Sequence, residues 1–114
     1  MLKNFVVKEK NNPHLHIETA DTFIKRFMGL MGRTDMPAGY GLLLSPCSSI
    51  HMCFMRFAID AIYLDKNYKI IKIARNLRPW IGISYCLRAQ TVIEIKAGTA
   101  DKYGCSIGVH LVEL

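Results

Sequence analysis

Within one short stretch, CSSIHMCFMRFAID (47–60), the chain places two thiols, an imidazole, a guanidinium and a carboxylate in an otherwise apolar run. If residues 47–53 are extended, side chains two apart share a face. Cys47, His51 and Cys53 then point the same way, with about 7 Å between the Cα atoms of His51 and Cys53. Thiolates and a neutral imidazole are zinc ligands, and His110, Cys105 or Cys86 would supply the fourth. The same residues suit a cysteine nucleophile activated by His51, although an orienting carboxylate and an oxyanion hole have no recognisable signature. Against both, Pro46 and two serines interrupt the strand before Ile50. The default for small thiols in such a setting is burial beside a hydrogen-bonded histidine.

Asp60 is a different kind of signal. On a strand from Ile59 to Asp65 it shares a face with Ile62 and Leu64, and a carboxylate among apolar neighbours needs a partner. Arg56, Arg26 and Arg33 are the candidates, in a structural ion pair or a ligand site. Glu94 shares its face with Val92 and Lys96. It reads as a solvated residue, or as a second carboxylate that would make acid–base work conceivable if it lay near Asp60. Trp80, after Arg78 and Pro79, either stacks on a flat ligand or caps the end of the fold. Met28, Met31, Met52 and Met55 read as core filler, with an adaptable binding surface as the other use.

The elements that must position these residues are mostly strands. Residues 4–8 and 14–19 look extended. Asp21 can cap a helix through Phe23, Ile24, Phe27, Met28, Leu30 and Met31, whose spacing of three and four puts them on one face. Gly32 stops it, and residues 35–41 form an irregular loop. Strand patterns follow at 40–44, 50–57, 59–65, 68–74, 91–96 and 107–112, with turns at Ser45 and Pro46 and at Asp65, Lys66 and Asn67. Residues 82–88 read as a loop or a ragged edge strand, and Thr99 can cap a short final helix. Many short strands, one early helix and no βαβ alternation predict a mainly β (α+β) fold. Its form would be an antiparallel sandwich or partly closed barrel with the helix covering one end.

Composition narrows the function classes. A chain of 114 residues with 51% hydrophobic residues supports one domain, 1–114, with its own core. No stretch approaches the roughly 20 apolar residues of a membrane span, and the N-terminus lacks a signal-like apolar region. A cytoplasmic protein is therefore expected. Cys47, Cys53, Cys86 and Cys105 are then kept reduced, and no C-x-x-C pair is present. The net charge of +6 comes from scattered lysines and arginines, without the dense or aromatic-interleaved basic run of a nucleic-acid site.

The segments RFMGLMGR (26–33), GLLL (41–44), IHMCFM (50–55) with Ile59, Asp60, Leu64 and Asp65, and VIEIKAG (92–98), in this order, resemble domain of unknown function 192. The resemblance covers roughly residues 14–114 and implies a compact, mostly β domain without an assigned activity. Where many members carry a Trp-Met pair, a polar residue and Asn-Thr, this chain has Phe54, Met55, Arg56, Phe57 and Ala58, so no role of that asparagine is carried over. Many relatives look exported, which adds an envelope or secretion setting to the cytoplasmic one.

The leading expectation is a small binding or accessory domain whose site gathers His51, Asp60, Arg33, Arg56, Trp80 and Glu94. The alternatives are a metal- or thiol-dependent enzyme on Cys47, His51 and Cys53, and a structural partner in an envelope or secretion assembly. Zinc in the first alternative is the one cofactor the sequence suggests. Nothing in it indicates a partner or an oligomeric state.

Overall fold

Short β-branched and aromatic runs become strands over the residues that the computed structural model describes, 2–7, 14–20, 35–37 and 39–114. In chain order they are β1 (Leu2–Val7), β2 (Leu15–Ala20), β3 (Tyr40–Leu44), β4 (Ser49–His51), β5 (Ile59–Leu64), β6 (Ile70–Leu77), β7 (Ile83–Tyr85), β8 (Thr91–Lys96) and β9 (Leu111–Glu113). A four-residue helix, α1 (Thr99–Lys102), follows β8. Seven strands form a sheet in the order β6-β5-β8-β3-β2-β1-β9, and β4 pairs with β7 in a separate small sheet. The mainly β fold expected from the sequence is what is found. The early helix expected at 21–31 lies outside the described residues, as do Arg26 and Arg33.

Most neighbours are antiparallel, but β2 and β3 run parallel, so the large sheet is mixed. Its two ends come together where Lys69 bridges His110 and the Ile70 N–H donates to the Val109 carbonyl at 2.8 Å. The sheet is therefore curled and partly closed, not a complete barrel. Two register shifts in the β5–β6 ladder contribute to the curl, because a bulge adds local twist.

Curling gives the central strands two buried faces. On the inner face Ile62 and Leu64 of β5 meet Phe5, Leu15, Ile17, Leu43, Ile93 and Ile95. On the outer face Ala61 and Tyr63 meet Leu42, Leu44 and Val92, and Ile50, Met52 and Met55 lie over them from β4 and the turn that follows. All six residues of β5 are buried, which explains a run without polar alternation. Gly41 makes the close approach of β3 to β8 feasible, since a Cβ there would lie 2.8 Å from the Glu94 carbonyl oxygen.

The strand expected over 50–57 ends at His51 instead. The Met52 carbonyl accepts from the N–H of Met55 and of Trp80, which folds residues 52–55 into a turn, with Phe54 at φ 63°. The second correction concerns α1. Gly98, in the left-handed region at φ 91°, is its N-cap, and Thr99 is the first helical residue. The hairpin predicted at 65–67 is present, its turn closed by Asp65 Oδ1 accepting from the N–H of Asn67 and Lys69.

Candidate functional site

Asp60 is 2% exposed on the inner face, and among the described residues its hydrogen-bond partners are backbone amides, not arginines. Oδ1 accepts from the Asn76 N–H at 2.9 Å, and Oδ2 from those of Gly98 at 3.0 Å and Ala100 at 3.2 Å. Two of these amides open α1 and would otherwise lack an intrahelical acceptor; the third belongs to the irregular stretch of β6, where Asn76 adopts φ 54°. The carboxylate thus joins β5, β6 and α1. Arg75, which together with Asp101 lines the open cleft beside it, pairs with Asp101 at 3.1 Å and not with Asp60.

Glu94 faces the other way. In the ladders it stands opposite Leu42 on β3 and Ala61 on β5, both outer-face residues, and it is 5% exposed. Its Oε1 has no hydrogen-bond partner, and burial pushes the carboxyl up to about 7. The Tyr63 hydroxyl, on the same face, is pushed up to about 12 by burial. Ser84 Oγ, from β7 above, lies near enough to the Tyr63 hydroxyl to ease its ionisation, yet neither atom finds a hydrogen bond of good geometry. The outer core therefore contains a polar layer between the two sheets. Asp60 and Glu94 are on opposite faces, so the structure does not bring them together as an acid–base pair.

The 47–53 segment gathers no metal site. The Cys47 thiol donates to the Ser49 carbonyl at 3.1 Å, His51 is exposed on the outside of β4, and Cys53 is exposed in the turn that breaks the strand parity. Among the described residues no three His, Cys, Asp or Glu side chains are placed to hold a metal ion. None of the four cysteines is in a disulfide.

What the structure does bring together is a surface. β4 and β7 pair so that His51 stands opposite Ile83 and Ser49 opposite Tyr85, all four on the outside, while Ile50 and Ser84 point inward. The outward parity continues beyond the strand ends: Ile81 is 74% exposed, Ile83 75% and Leu87 83%. At one end the rings of Phe54 and Trp80 meet edge to face with centroids 5.1 Å apart, both exposed. Gly82 allows this end to close, because a Cβ there would lie 2.7 Å from Met52 Cγ. Of ten large apolar side chains exposed among the described residues, six belong to this face, so it is a patch and not scattered exposure. Arg56, Arg78 and Arg88, within two residues of Phe54, Trp80 and Leu87 in the chain, are all exposed.

Two of the anticipated binding residues, His51 and Trp80, are thus on one face with Arg56 nearby. Asp60 and Glu94 lie beneath the surface. The aliphatic residues of the patch escape a sequence reading that sees residues 82–88 as a ragged edge. The available signal is their alternation, Ile81, Ile83, Tyr85 and Leu87 separated by Gly82, Ser84 and Cys86, with the large residues outward and the small ones inward.

The family model for DUF192, described as uncharacterized ACR, matches residues 5–112. A UPF0127 protein of Thermococcus sibiricus is 34% identical over 81% of this chain, which spans 62% of that protein. Another, from Pyrococcus furiosus, is 31% identical over 85% of each chain. Among solved structures, a Sinorhizobium meliloti protein provisionally described as a transcription regulator superimposes with a TM-score of 0.87, covering 98% of this chain and 92% of its own at 23% identity. A protein of unknown function from Novosphingobium aromaticivorans gives 0.84 at 21% identity, covering 97% and 84%. At such identities these two matches speak for the fold alone.

Proposed function

We propose that this chain, which belongs to the DUF192 family of uncharacterised proteins, is a small binding or accessory domain whose contact face is the outside of the β4–β7 sheet. The observation that supports this reading is the row of projecting apolar side chains on an otherwise well-buried fold. A sheet normally turns large apolar residues inward, and β7 turns Ile83 and Tyr85 outward while burying Ser84. Such an inversion costs solubility and is retained where a partner covers it. His51 and Trp80 contribute polar and aromatic contacts on the same face. Asp60 and Glu94 serve the scaffold beneath. A cytoplasmic setting is part of the proposal, in keeping with four cysteines outside disulfides.

The test is a photo-crosslinking side chain placed in turn at positions 83, 87 and 107 and activated in cells. Ile107 is 67% exposed but belongs to another part of the chain, so it reports non-specific encounters. Adducts at 83 and 87 with none at 107 are expected. Equal labelling at all three positions would remove the binding role.

A further inference from the structure

Resting on that binding role, we propose that the partner of the β4–β7 face is the surface of a lipid bilayer carrying anionic headgroups. The chemistry of the face divides into two parts. Its centre is apolar and projecting: Phe54, Trp80, Ile81, Ile83, Tyr85 and Leu87 stand out from the protein. Projecting side chains suit a fluid apolar phase that closes around each of them, and the Trp and Tyr rings suit the interfacial depth.

The margin of the face is cationic. Residues 47–59 and 78–90 contain no Asp or Glu, although the chain has nine, and they contain Arg56, Arg78 and Arg88. All three arginines are exposed, and a long guanidinium side chain beside an apolar row can reach headgroups while that row enters the boundary. Beside Leu87 an open cleft of about 420 Å³ is lined by Ser48, Arg88 and Gln90, a polar recess next to a projecting aliphatic residue.

The other occupants fit less well. A second copy would bring the three arginines against their own like charges. Strand addition at β7 meets an edge whose Tyr85 carbonyl is already held by Lys72 Nζ at 2.7 Å, a lysine placed where natural sheets blunt their edges. Nucleic acid would use the arginines and aromatic rings but would leave Ile81, Ile83 and Leu87 in water.

The experiment uses the full chain with vesicles of phosphatidylcholine alone or mixed equally with phosphatidylglycerol. It follows co-sedimentation and the emission of Trp80, the single tryptophan. Expected are a blue shift and sedimentation with the anionic vesicles, binding to the zwitterionic ones at least tenfold weaker, and relief by salt. Each arginine near the surface contributes roughly a fivefold gain in partitioning, so R78Q/R88Q should lose roughly twenty-five-fold. I83S/L87S, both at exposed positions, should abolish the blue shift while leaving the circular dichroism unchanged. The lipid assignment is overturned by no binding to anionic vesicles, by equal binding to both compositions, by indifference to I83S/L87S, or by tighter binding to a 20-nucleotide single strand. If vesicles fail while positions 83 and 87 crosslink a protein in cells, the lipid assignment falls and the binding role stands. If both fail, both fall.

Discussion

Asp60 and Glu94 are near neighbours in the β5–β8 ladder, one opposite Ile95 and the other opposite Ala61, yet they face opposite cores. Each is buried and neither pairs with a described cation. Asp60 accepts three backbone N–H groups, and it ties a bulged strand and a helix start to β5. Glu94 has an oxygen without any partner and is held among Leu42, Ala61 and Val92, where burial raises its pKa to about 7. Two buried carboxyl groups one step apart in the ladder thus have unlike surroundings: one is met by backbone amides, and the other, among apolar side chains, is driven toward neutrality by burial.

The largest expected effect tests the first half of that contrast. Asp60→Ala leaves the amides of Asn76, Gly98 and Ala100 without their acceptor, and hydrogen bonds to a charged group contribute about 1.5–3 kcal/mol each. Allowing for solvent reaching some of them, a loss of about 4 kcal/mol is expected from urea denaturation. Asp60→Asn should cost nearly as much, because one carboxylate oxygen is replaced by an NH₂ that faces donors. A loss below about 1 kcal/mol for both variants would show that the amides find other acceptors and that the two carboxylates are alike in being dispensable.

Glu94 supplies the next effect, with the opposite dependence on charge. Its folded pKa, about 7, lies above the ordinary 4.5, so between these values the folded state binds more protons than the unfolded one. Stability contributed by the neutral carboxyl is complete below pH 4.5 and is lost as pH rises to 7. A shift of this size corresponds to roughly 3 kcal/mol over the window. Glu94→Gln should remove that slope, leaving a variant more stable than the parent at pH 8 and close to it at pH 4.5. The same downward slope in the variant would assign it to another group and bring Glu94 back toward an ordinary carboxylate.

Much of this contrast was legible in the residues. That Asp60 shares a face with Ile62 and Leu64 follows from strand parity, as does its need for partners, and the strands at 40–44 and 91–96 coincide with their sequence patterns. The amides that Asp60 accepts from were not legible, because a backbone N–H carries no residue signature, while Arg26 and Arg33, expected beside it, lie outside the described residues. Glu94 looked solvated beside Lys96, since one strand cannot reveal that the small sheet covers its outer face. The Cys47, His51 and Cys53 cluster failed for a local reason: Phe54 adopts a left-handed conformation, and the parity that aligned the trio ends with β4. The exposed row on β7 was hidden by expectation, since alternating large apolar and small residues are ordinarily read with the large ones inside.

The smallest effect sharpens the contrast from the Glu94 side. Tyr63 and Ser84 share the outer core with Glu94, and their hydroxyl oxygens are likewise without partners. Removing an unsatisfied buried hydroxyl relieves a desolvation cost, so Tyr63→Phe should be neutral or stabilising by about 1 kcal/mol or less at neutral pH. It should also flatten any loss of stability between pH 10 and about 12, where the folded state retains the phenolic proton that the unfolded chain gives up. A loss above about 2 kcal/mol would instead mean that the hydroxyl is bonded within the layer, through Ser84 or a bridging water. The outer face would then have a network of its own, and Asp60 and Glu94 would differ in the kind of partner each has, side chain or backbone, and no longer in having one.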